Sequence, residues 1–338
     1  MKGSWFLLPA TLLMIHSGCE QQQPARQERP AYTLVIHGGA GAIRQSDMSP
    51  ALDSAYRIKL QEALDSGEVI LAGGGSALDA VSAAIRVMED SPLFNAGKGA
   101  VFTHDGTNEL DASIMDGRDL QAGAVGGISL ARHPIDAARA VMEKSEHVFL
   151  TGQGADRFIV EIGLDTVSPD YFFTQRRWDS LLKARQQEEG ESGIRSSPDT
   201  KFGTVGAVAL DQHGHLAAGT STGGMTNKRW NRLGDSPVIG AGTWADDRSC
   251  AVSCTGHGEY FIRYAVAHEL AARVRYTSAR LEDAARAILE DDLLPVGGLG
   301  GLIALDTLGR IAMPFTTDGM YRGFVRPGER VVAIYREE

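Results

Sequence analysis

The chain has 338 residues and a formal net charge of −10, from 33 Lys and Arg against 43 Asp and Glu. This length is enough for one large domain or two small ones with a buried core. The acidic balance and the lack of a Lys/Arg cluster disfavour binding to nucleic acid. The 40 glycines lie in short runs, which indicates many tight turns and places of close backbone approach.

Residues 1–19 have the pattern of a signal peptide. The apolar stretch from Trp5 to Ile15 follows a lysine and is too short to span a membrane. The Ser-Gly-Cys sequence that ends at Cys19 resembles a bacterial lipoprotein signal, in which this cysteine would carry the lipid anchor to the membrane. A plain secretory signal cleaved near Ser17 is the alternative. Residues 20–31 are polar, as in a flexible tether. We therefore predict an exported protein, either periplasmic or a membrane-tethered lipoprotein.

The first half alternates between strand and helix patterns. A β-rich run at Tyr32–Ile36 predicts a strand that enters the glycine-rich turn HGGAGA. The glycine-punctuated stretch 91–130 predicts further strands, with a hairpin that turns at Asp105-Gly106. The periodicity of apolar residues predicts helices at Pro50–Ala72, Ser76–Asp90, Pro134–Lys144 and Ala155–Ile162.

A change in composition divides the chain. Residues 186–201 are rich in Gln, Glu, Ser and Gly and carry too few bulky apolar side chains to become ordered. We predict an exposed, mobile segment here, which is unusual inside a compact domain. The segment is followed at once by Gly203-Thr204 and by two strands of small residues joined around His213-Gly214.

The second half continues with strands and helices. Cys250 and Cys254 would share one face of a strand, too far apart for a disulfide, and we expect both to be buried as apolar side chains. Blocks of strands and helices fit sheet layers covered by helices, and residues 32–338 are predicted to form a single catalytic domain. The remaining predicted elements are strands within 237–254, helices at Glu259–Val274 and Leu281–Leu289, and strand pairs at Gly301–Ala312 and Arg322–Ile334.

The Gly203-Thr204 junction suggests a nucleophile that is exposed by self-cleavage. A cut between the two residues would give Thr204 a free α-amine with a reference pKa of about 7.7–8.0. Much of this amine would be neutral and able to take the proton of the Thr204 hydroxyl. Gly203 permits the strained backbone that attack on its own carbonyl requires. For an isolated threonine, the alternative is an ordinary strand residue.

Ordered motifs around this junction resemble a known family. FGTVGAVALD, STGGMTNK, RLGDSP, GAGTWA and SCTGHGE, preceded by HGGAG and SPLFNAGKGAVFT, are similar to the plant-type L-asparaginases, also called isoaspartyl peptidases. These are N-terminal-nucleophile hydrolases with a threonine nucleophile. The resemblance runs from about Thr33 to the C terminus. It implies an α+β fold, the four-layer αββα sandwich, autocleaved into an α chain (32–203) and a β chain (204–338) that pair as an (αβ)2 assembly.

The resemblance also implies roles for individual residues. Thr204 corresponds to the nucleophile, Thr222 to a threonine that hydrogen-bonds it, and Asn95 to an asparagine of the active-site network. The oxyanion-stabilising pair corresponds to Thr255 and Gly256. The implied substrate-binding residues are Arg232, Leu233, Gly234, Asp235, Thr255, Gly256, His257 and Gly258.

No catalytic metal or required cofactor is implied. In the family, a loop that corresponds to Met88–Lys98 often holds a structural sodium ion through backbone carbonyls. A zwitterionic aspartyl substrate needs one guanidinium and one carboxylate, which suits Arg232 for the α-carboxylate and Asp235 for the α-amine.

The implied reaction is hydrolysis of the side-chain amide of L-asparagine and of the isopeptide bond of β-aspartyl dipeptides through a Thr204 acyl-enzyme. A glycosylasparaginase-like amidase is an alternative that differs in substrate bulk. A lipid-tethered amino-acid-binding protein without catalysis is a further alternative, but it leaves the Gly203-Thr204 junction unexplained. The pattern G-x-S-x-G at 219–223 would make Ser221 a serine-esterase nucleophile, although the sequence after it does not have a helical pattern.

Overall fold

The structure is a computed structural model that describes residues 1–4, 29–190 and 203–338. The predicted signal core with Cys19, most of the predicted tether and residues 191–202 lie outside the described residues. Within the described ranges, no helix has both the length and the apolar character needed to cross a bilayer.

The described chain alternates between strands and helices over its whole length. The strands are β1 (Thr33–Gly41), β2 (Leu110–Asp116), β3 (Ala122–Ile128), β4 (Phe149–Thr151), β5 (Val205–Leu210), β6 (Leu216–Thr222), β7 (Thr243–Ala245), β8 (Cys250–Gly256), β9 (Gly300–Asp306), β10 (Ile311–Ala312), β11 (Gly319–Arg326) and β12 (Glu329–Tyr335). The helices are α1 (Pro50–Ala72), α2 (Ala77–Glu89), α3 (Pro134–Lys144), α4 (Gly152–Glu161), α5 (Gln175–Gly190), α6 (Gly258–Arg263), α7 (Val266–Thr277) and α8 (Leu281–Ala287). Short 3₁₀ turns lie at Gln45–Asp47, Gly97–Gly99, Pro169–Phe172 and Leu294–Val296, with a π-helical turn at Ile288–Leu293.

The strands form two sheets. One has eight strands in the order β12-β11-β1-β5-β6-β2-β3-β4, and the other has four in the order β10-β9-β8-β7. Neighbouring strands are antiparallel except for the parallel pair β3–β4. The central strands β5 and β6 are buried at every position, because both faces of a sandwiched sheet are covered.

Four layers result from the packing of these elements. Helices α1, α2 and α3 cover the outer face of the eight-stranded sheet, and α7 and α8 cover the outer face of the four-stranded sheet. The inner faces of the two sheets contact each other through β1, β5 and β6 on one side and β8 and β9 on the other. Separate apolar clusters fill the two helix–sheet layers and the layer between the sheets. The predicted α+β, four-layer αββα sandwich is confirmed.

Capping residues explain why two predicted helices have nearly the predicted bounds. Ser49 accepts a hydrogen bond from the Leu52 amide at the start of α1, and Pro50 occupies its first turn. Ser76 accepts one from the Asp79 amide at the start of α2. Both serines satisfy amide groups that have no partner inside the helix.

Two sequence predictions of local structure are wrong. The turn at Asp105-Gly106 exists, with the Gly106 amide donating to the Thr103 carbonyl at 3.1 Å. It does not join a hairpin, because Thr103 makes a bridge to Lys228 and the observed hairpin is β2–β3. The helix predicted at Glu259–Val274 is broken between α6 and α7. Ala265 adopts φ +47° there, and the amides of Ala267 and His268 donate to carbonyls outside the helix, those of Ala241 and Gly240.

The predicted mobile segment 186–201 also needs correction at its beginning. Helix α5 continues to Gly190, so the first residues of that segment are helical. Glu188 forms an ion pair with Arg229 at 2.7 Å, which is a tertiary contact that composition alone does not reveal. The rest of the segment lies outside the described residues. Cys250 and Cys254 are buried and free, as predicted.

Candidate active site

The register of two central strands brings the predicted nucleophile and its partner together. Thr204 directly precedes β5, and Thr222 is the last residue of β6. Because Val205 pairs with Ser221 in this antiparallel ladder, Thr204 and Thr222 lie opposite each other at the next position. The Thr204 hydroxyl donates to Thr222 Oγ1 at 3.2 Å. Both residues are buried, with 7% and 2% of their surface exposed.

The carbonyl of Gly203 receives two side-chain hydrogen bonds. Asn95 Nδ2 donates to it at 2.8 Å, and Thr222 Oγ1 donates to it at 3.0 Å. Asn95 is itself fixed, since its Oδ1 accepts from the Val101 amide at 2.9 Å. The chain is continuous from Gly203 to Thr204, so the two donors surround the carbonyl that the Thr204 hydroxyl would attack. Donors in this position stabilise the negative charge that develops on the oxygen.

Glycines allow this close approach of backbone segments. A Cβ on Gly203 would lie 2.8 Å from Asn95 Cβ. A Cβ on Gly39, which has φ +109°, would lie 3.0 Å from Gly203 Cα and 3.2 Å from the Thr204 nitrogen. Gly39 belongs to the HGGAG motif, so this motif supports the junction from the neighbouring strand β1.

His37, which the sequence analysis did not select, holds the backbone of Thr204. Its Nδ1 lies 3.1 Å from the Thr204 carbonyl and its Nε2 lies 2.9 Å from Ser253 Oγ. Since a carbonyl only accepts, Nδ1 is assigned the proton and Nε2 accepts from the serine. Burial lowers the pKa of His37 to about 3, so the ring is neutral. In the sequence, the signal that could have indicated His37 was its position at the start of the HGGAG motif.

A second hydroxyl near the nucleophile was also missed. Ser236 Oγ lies 3.5 Å from Thr204 Oγ1. Ser236 follows Asp235 in the RLGDSP motif. The motif therefore included this serine, but no function was assigned to it. The described partners of the Thr204 hydroxyl are therefore two other hydroxyl groups, those of Thr222 and Ser236, and neither is a base at neutral pH.

The pocket beside Thr204 is small in the continuous chain. Its volume is about 20 Å³, which holds about one water molecule. Gly203 forms part of its wall. The lining residues are Gly203, Thr204, Thr222, Gly224, Met225, Arg232, Gly234, Asp235, Ser236 and Gly256.

Asp235 presents a buried carboxylate to this pocket. Its Oδ2 has no hydrogen-bond partner among the described residues. Burial raises the pKa of Asp235 to about 7, although the charge of Arg232 acts in the opposite direction. Gly258 lies against this pair, since a Cβ there would be 2.9 Å from both Asp235 Oδ1 and Arg232 Nη2. An unsatisfied buried carboxylate oxygen favours a cationic ligand.

Arg232 is held by a residue that sequence analysis did not identify. Its Nε and Nη2 donate to the two carboxylate oxygens of Glu259, each at 2.9 Å. Burial alone would raise the pKa of Glu259, but the hydrogen bond and charge of Arg232 outweigh it and the pKa is lowered. A substrate carboxylate would have to bind the remaining N–H groups of Arg232 or compete with Glu259.

The other predicted site residues differ in whether they line the pocket. Thr255 is fully buried and is absent from the pocket lining, and its Oγ1 accepts from the Ala40 amide at 3.3 Å. Leu233 and His257 do not line the pocket: Leu233 packs against Gly126, and His257 lies beside Glu259 and Tyr260. The structure thus brings Arg232, Gly234, Asp235 and Gly256 to the pocket, with Gly258 behind them, and their roles stay predictions.

Ser221 does not have the environment of an esterase nucleophile. It is completely buried, and its hydroxyl donates to Glu89 Oε1 at 2.6 Å. Since neighbouring residues of a strand point to opposite faces, Ser221 points away from the face that carries Thr222. Burial raises the pKa of Glu89 well above its ordinary value.

Comparison with known proteins assigns the chain to a family of amidohydrolases, which is consistent with a threonine placed beside a hydrogen-bonded carbonyl. A family model described as asparaginase matches residues 30–333. The chain belongs to this asparaginase family. It is 50% identical over 308 residues to an isoaspartyl peptidase of Salmonella typhimurium, covering 90% of this chain and 98% of that protein. It is 49% identical over 309 residues to an isoaspartyl peptidase of Escherichia coli, covering 90% and 96%.

A eukaryotic member of the asparaginase family is also similar. The isoaspartyl peptidase/L-asparaginase of Rattus norvegicus is 40% identical over 302 residues, covering 89% of this chain and 88% of that protein. The family predicted from the motifs is confirmed. These relatives carry the isoaspartyl peptidase name, so the glycosylasparaginase-like alternative gains no support from them.

The two donors to Gly203 lead to a prediction about self-cleavage. Asn95→Ala removes one donor from the carbonyl under attack, and we expect the rate of the internal cut to fall by roughly 10²–10³-fold. A time course of purified protein on denaturing gels measures this rate. Asn108→Ala is the matched control, because Asn108 is a nearby buried asparagine that bonds the carbonyls of Ala100 and Val101. Equal rates for Asn95→Ala and the control would contradict the role of Asn95.

Proposed function

We propose that the chain is an autoprocessed amidohydrolase that hydrolyses the side-chain amide of L-asparagine and the isopeptide bond of β-aspartyl dipeptides. Family membership and the printed names of the relatives support the activity. The observation that carries the mechanism is the position of the Thr204 hydroxyl beside the doubly hydrogen-bonded Gly203 carbonyl.

Self-cleavage begins with attack by Thr204 Oγ1 on the carbonyl carbon of Gly203. The oxygen of the tetrahedral intermediate stays hydrogen-bonded to Asn95 and Thr222. The C–N bond then breaks, and its nitrogen takes the proton that the attacking hydroxyl released and becomes the amine of Thr204, while Gly203 is left as an ester on the threonine oxygen. Water hydrolyses this ester, which gives a Gly203 carboxylate and restores the Thr204 hydroxyl.

The cut supplies the base for the second reaction. Among the described residues, only hydroxyl groups contact Thr204 Oγ1, and neutral His37 contacts the carbonyl rather than the hydroxyl. The new α-amine is therefore the group that takes the hydroxyl proton. Thr204 Oγ1 attacks the side-chain carbonyl of the substrate, and ammonia or an amino acid leaves with that proton. Water then hydrolyses the aspartyl ester to aspartate.

The remaining residues act on the two ends of the substrate. The Thr255 hydroxyl and the Gly256 amide are proposed to stabilise the oxyanion. Asp235 accepts the α-ammonium group, and Arg232 binds the α-carboxylate. The charges of this pair match the free α-ammonium and α-carboxylate groups of an aspartyl substrate.

Removal of the nucleophile tests the proposal. Thr204→Ala should remain a single uncut chain without turnover of asparagine or β-Asp-Leu, whereas Thr204→Ser keeps a hydroxyl and should still be cut. Intact-mass measurement reports the cut, and release of ammonia or leucine reports turnover. Turnover by an uncut Thr204→Ala protein would refute the assignment.

The raised pKa of Asp235 predicts how binding depends on pH. The carboxyl group is anionic above about pH 7 and neutral below it, so it holds an ammonium group well only at the higher pH. We expect the inhibition constant of the product L-aspartate to rise as the pH falls below 7, by up to about tenfold per pH unit. Succinate lacks the amine and serves as the control; equal pH profiles for both inhibitors would contradict this role of Asp235.

We also propose that the loop Met88–Lys98 holds a structural sodium ion. Gly97 has φ +50°, and a Cβ there would collide with the Glu89 carbonyl. A Cβ on Gly99 would collide with the Phe94 carbonyl. The two glycines thus let backbone segments of the loop pack closely, which supports a loop compact enough to offer carbonyl oxygens to a hard cation.

Ion binding to the folded state would raise its stability. We expect the Tm of the purified enzyme to be a few degrees higher in sodium chloride than in choline chloride of the same ionic strength. A divalent chelator added to both samples excludes a contribution from calcium. Identical Tm values over a wide sodium range would contradict a sodium site in this loop.

The proposal has two further parts. Trp5–Ile15 and Cys19 support export and lipidation through their sequence pattern alone. Pairing of two αβ units into an (αβ)2 assembly follows the family resemblance. The intact-mass measurement of the cut protein also reports the start of the α chain and any acyl group on Cys19.

A further inference from the structure

A second cavity adjoins the catalytic pocket. Its volume is about 170 Å³, against about 20 Å³ for the catalytic pocket, and it could hold on the order of ten water molecules. Gly203 lines both cavities and therefore belongs to the wall between them. When the Gly203–Thr204 bond is broken and Gly203 moves aside, the two cavities can join.

Two arginines, Arg176 and Arg177, bring positive charge to this cavity. Arg176 donates to the Tyr56 hydroxyl at 3.1 Å and to the Leu93 carbonyl at 2.7 Å. Arg177 Nε donates to the Gly99 carbonyl at 2.8 Å. These are neutral acceptors, and neither guanidinium forms an ion pair with a carboxylate of the described residues. Burial and the charge of Arg176 lower the pKa of Arg177 to about 10, so it is still a cation at neutral pH.

The other charged groups of the lining do not cancel this charge. Arg44 forms an ion pair with Asp318 at 2.8 Å, outside the cavity lining. Asp47 is the one carboxylate among the described residues that line it. The cavity therefore favours an anionic group near Arg176 and Arg177.

Apart from Asn95, the rest of the wall is apolar and aromatic. Tyr56 and Tyr321 stack with ring centroids 4.1 Å apart, and the edge of Phe94 meets Tyr56 at 5.5 Å. Met48 and Leu52 also line the cavity. A ligand that combines a carboxylate with a bulky apolar side chain matches this surface.

The chemistry of the proposed reaction places the leaving group at this cavity. The Thr204 nitrogen returns a proton to the leaving amine, so the two nitrogens must come within about 2.6–3.2 Å. In the continuous chain, the atom bonded to the Thr204 nitrogen belongs to Gly203. The leaving amine thus begins where Gly203 was, and a residue attached to it extends toward the second cavity. In a β-aspartyl dipeptide this residue carries a carboxylate, whereas ammonia from asparagine carries none.

We propose that this cavity is the subsite for the leaving amino acid of β-aspartyl dipeptides, with Arg176 and Arg177 binding its carboxylate and the aromatic wall receiving its side chain. This inference rests on the proposed function and extends it to a specificity determinant. The two arginines favour dipeptides with a free C-terminal carboxylate over asparagine.

Substitution of each arginine tests this subsite. For Arg176→Met and Arg177→Met, the ratio of kcat/KM for β-Asp-Leu to kcat/KM for asparagine should fall by about 10- to 100-fold, the scale of a charge-assisted hydrogen bond. The ratio for β-Asp-leucinamide, which has no carboxylate, should change by less than threefold. Arg86→Met removes an arginine paired with Asp136 and is the control. Equal loss on all three substrates, or an unchanged ratio, overturns the proposal.

A measurement on the wild-type enzyme avoids variants that fail to fold. During asparagine hydrolysis, the aspartyl ester of Thr204 can transfer its acyl group to an added amine, which forms a β-aspartyl amide and restores the Thr204 hydroxyl. Transfer to L-leucine should exceed transfer to L-leucinamide by about 10- to 100-fold, compared per neutral amine. Equal transfer overturns the subsite. An enzyme that hydrolyses none of the three substrates would instead refute the proposed function.

Discussion

The antiparallel register of β5 and β6 is the constraint on which the active site depends. Pairing of Val205 with Ser221 places Thr204 opposite Thr222, and the Gly203 carbonyl then lies within reach of Thr222 and Asn95. A shift of one residue would turn every side chain of β6 to the other face. Ser221, which bonds buried Glu89, would then face the junction. The burial of both strands on both faces makes such a shift costly, so the sandwich itself fixes the register.

Burial between the sheets also decides which groups can be charged. His37 is neutral there and supports Thr204 only by a hydrogen bond to its backbone. Ser253 continues this contact to the second sheet, and Thr220 Oγ1 lies 2.7 Å from Ser253 Oγ. The ion pair of Arg232 with Glu259 lies where the pocket begins. The nucleophile therefore lies among neutral polar groups and acquires a base only through the chemistry of its own peptide bond.

Much of the fold and the central part of the site could be predicted from sequence because their signals are local. Ser49 and Ser76 mark helix starts through their own side chains, and the ordered motifs mark Thr204 and its neighbours. The failures have non-local causes. The break at Ala265 follows from amides that bond to another segment. The predicted hairpin at Asp105-Gly106 does not form, because Thr103 beside the turn makes a bridge with a distant lysine, Lys228.

Missed site residues have the same explanation. Glu259 becomes important only because Arg232 folds against it from a separate loop, and His37 because β1 lies beside β5. A short hydrophilic stretch such as 186–190 has no apolar periodicity that would predict a helix, yet it extends α5. Pairings between distant segments are set by the tertiary fold, and a single sequence records them only where a motif happens to include both partners.

The most direct test of the central claim is a parallel time course of two quantities in freshly prepared protein. Intact mass gives the fraction of chains cut between Gly203 and Thr204, and ammonia release gives asparagine turnover in the same samples. If the new amine of Thr204 is the base, turnover is absent before the cut and rises in proportion to the cut fraction. Turnover that is already complete while the chain is intact would contradict the account.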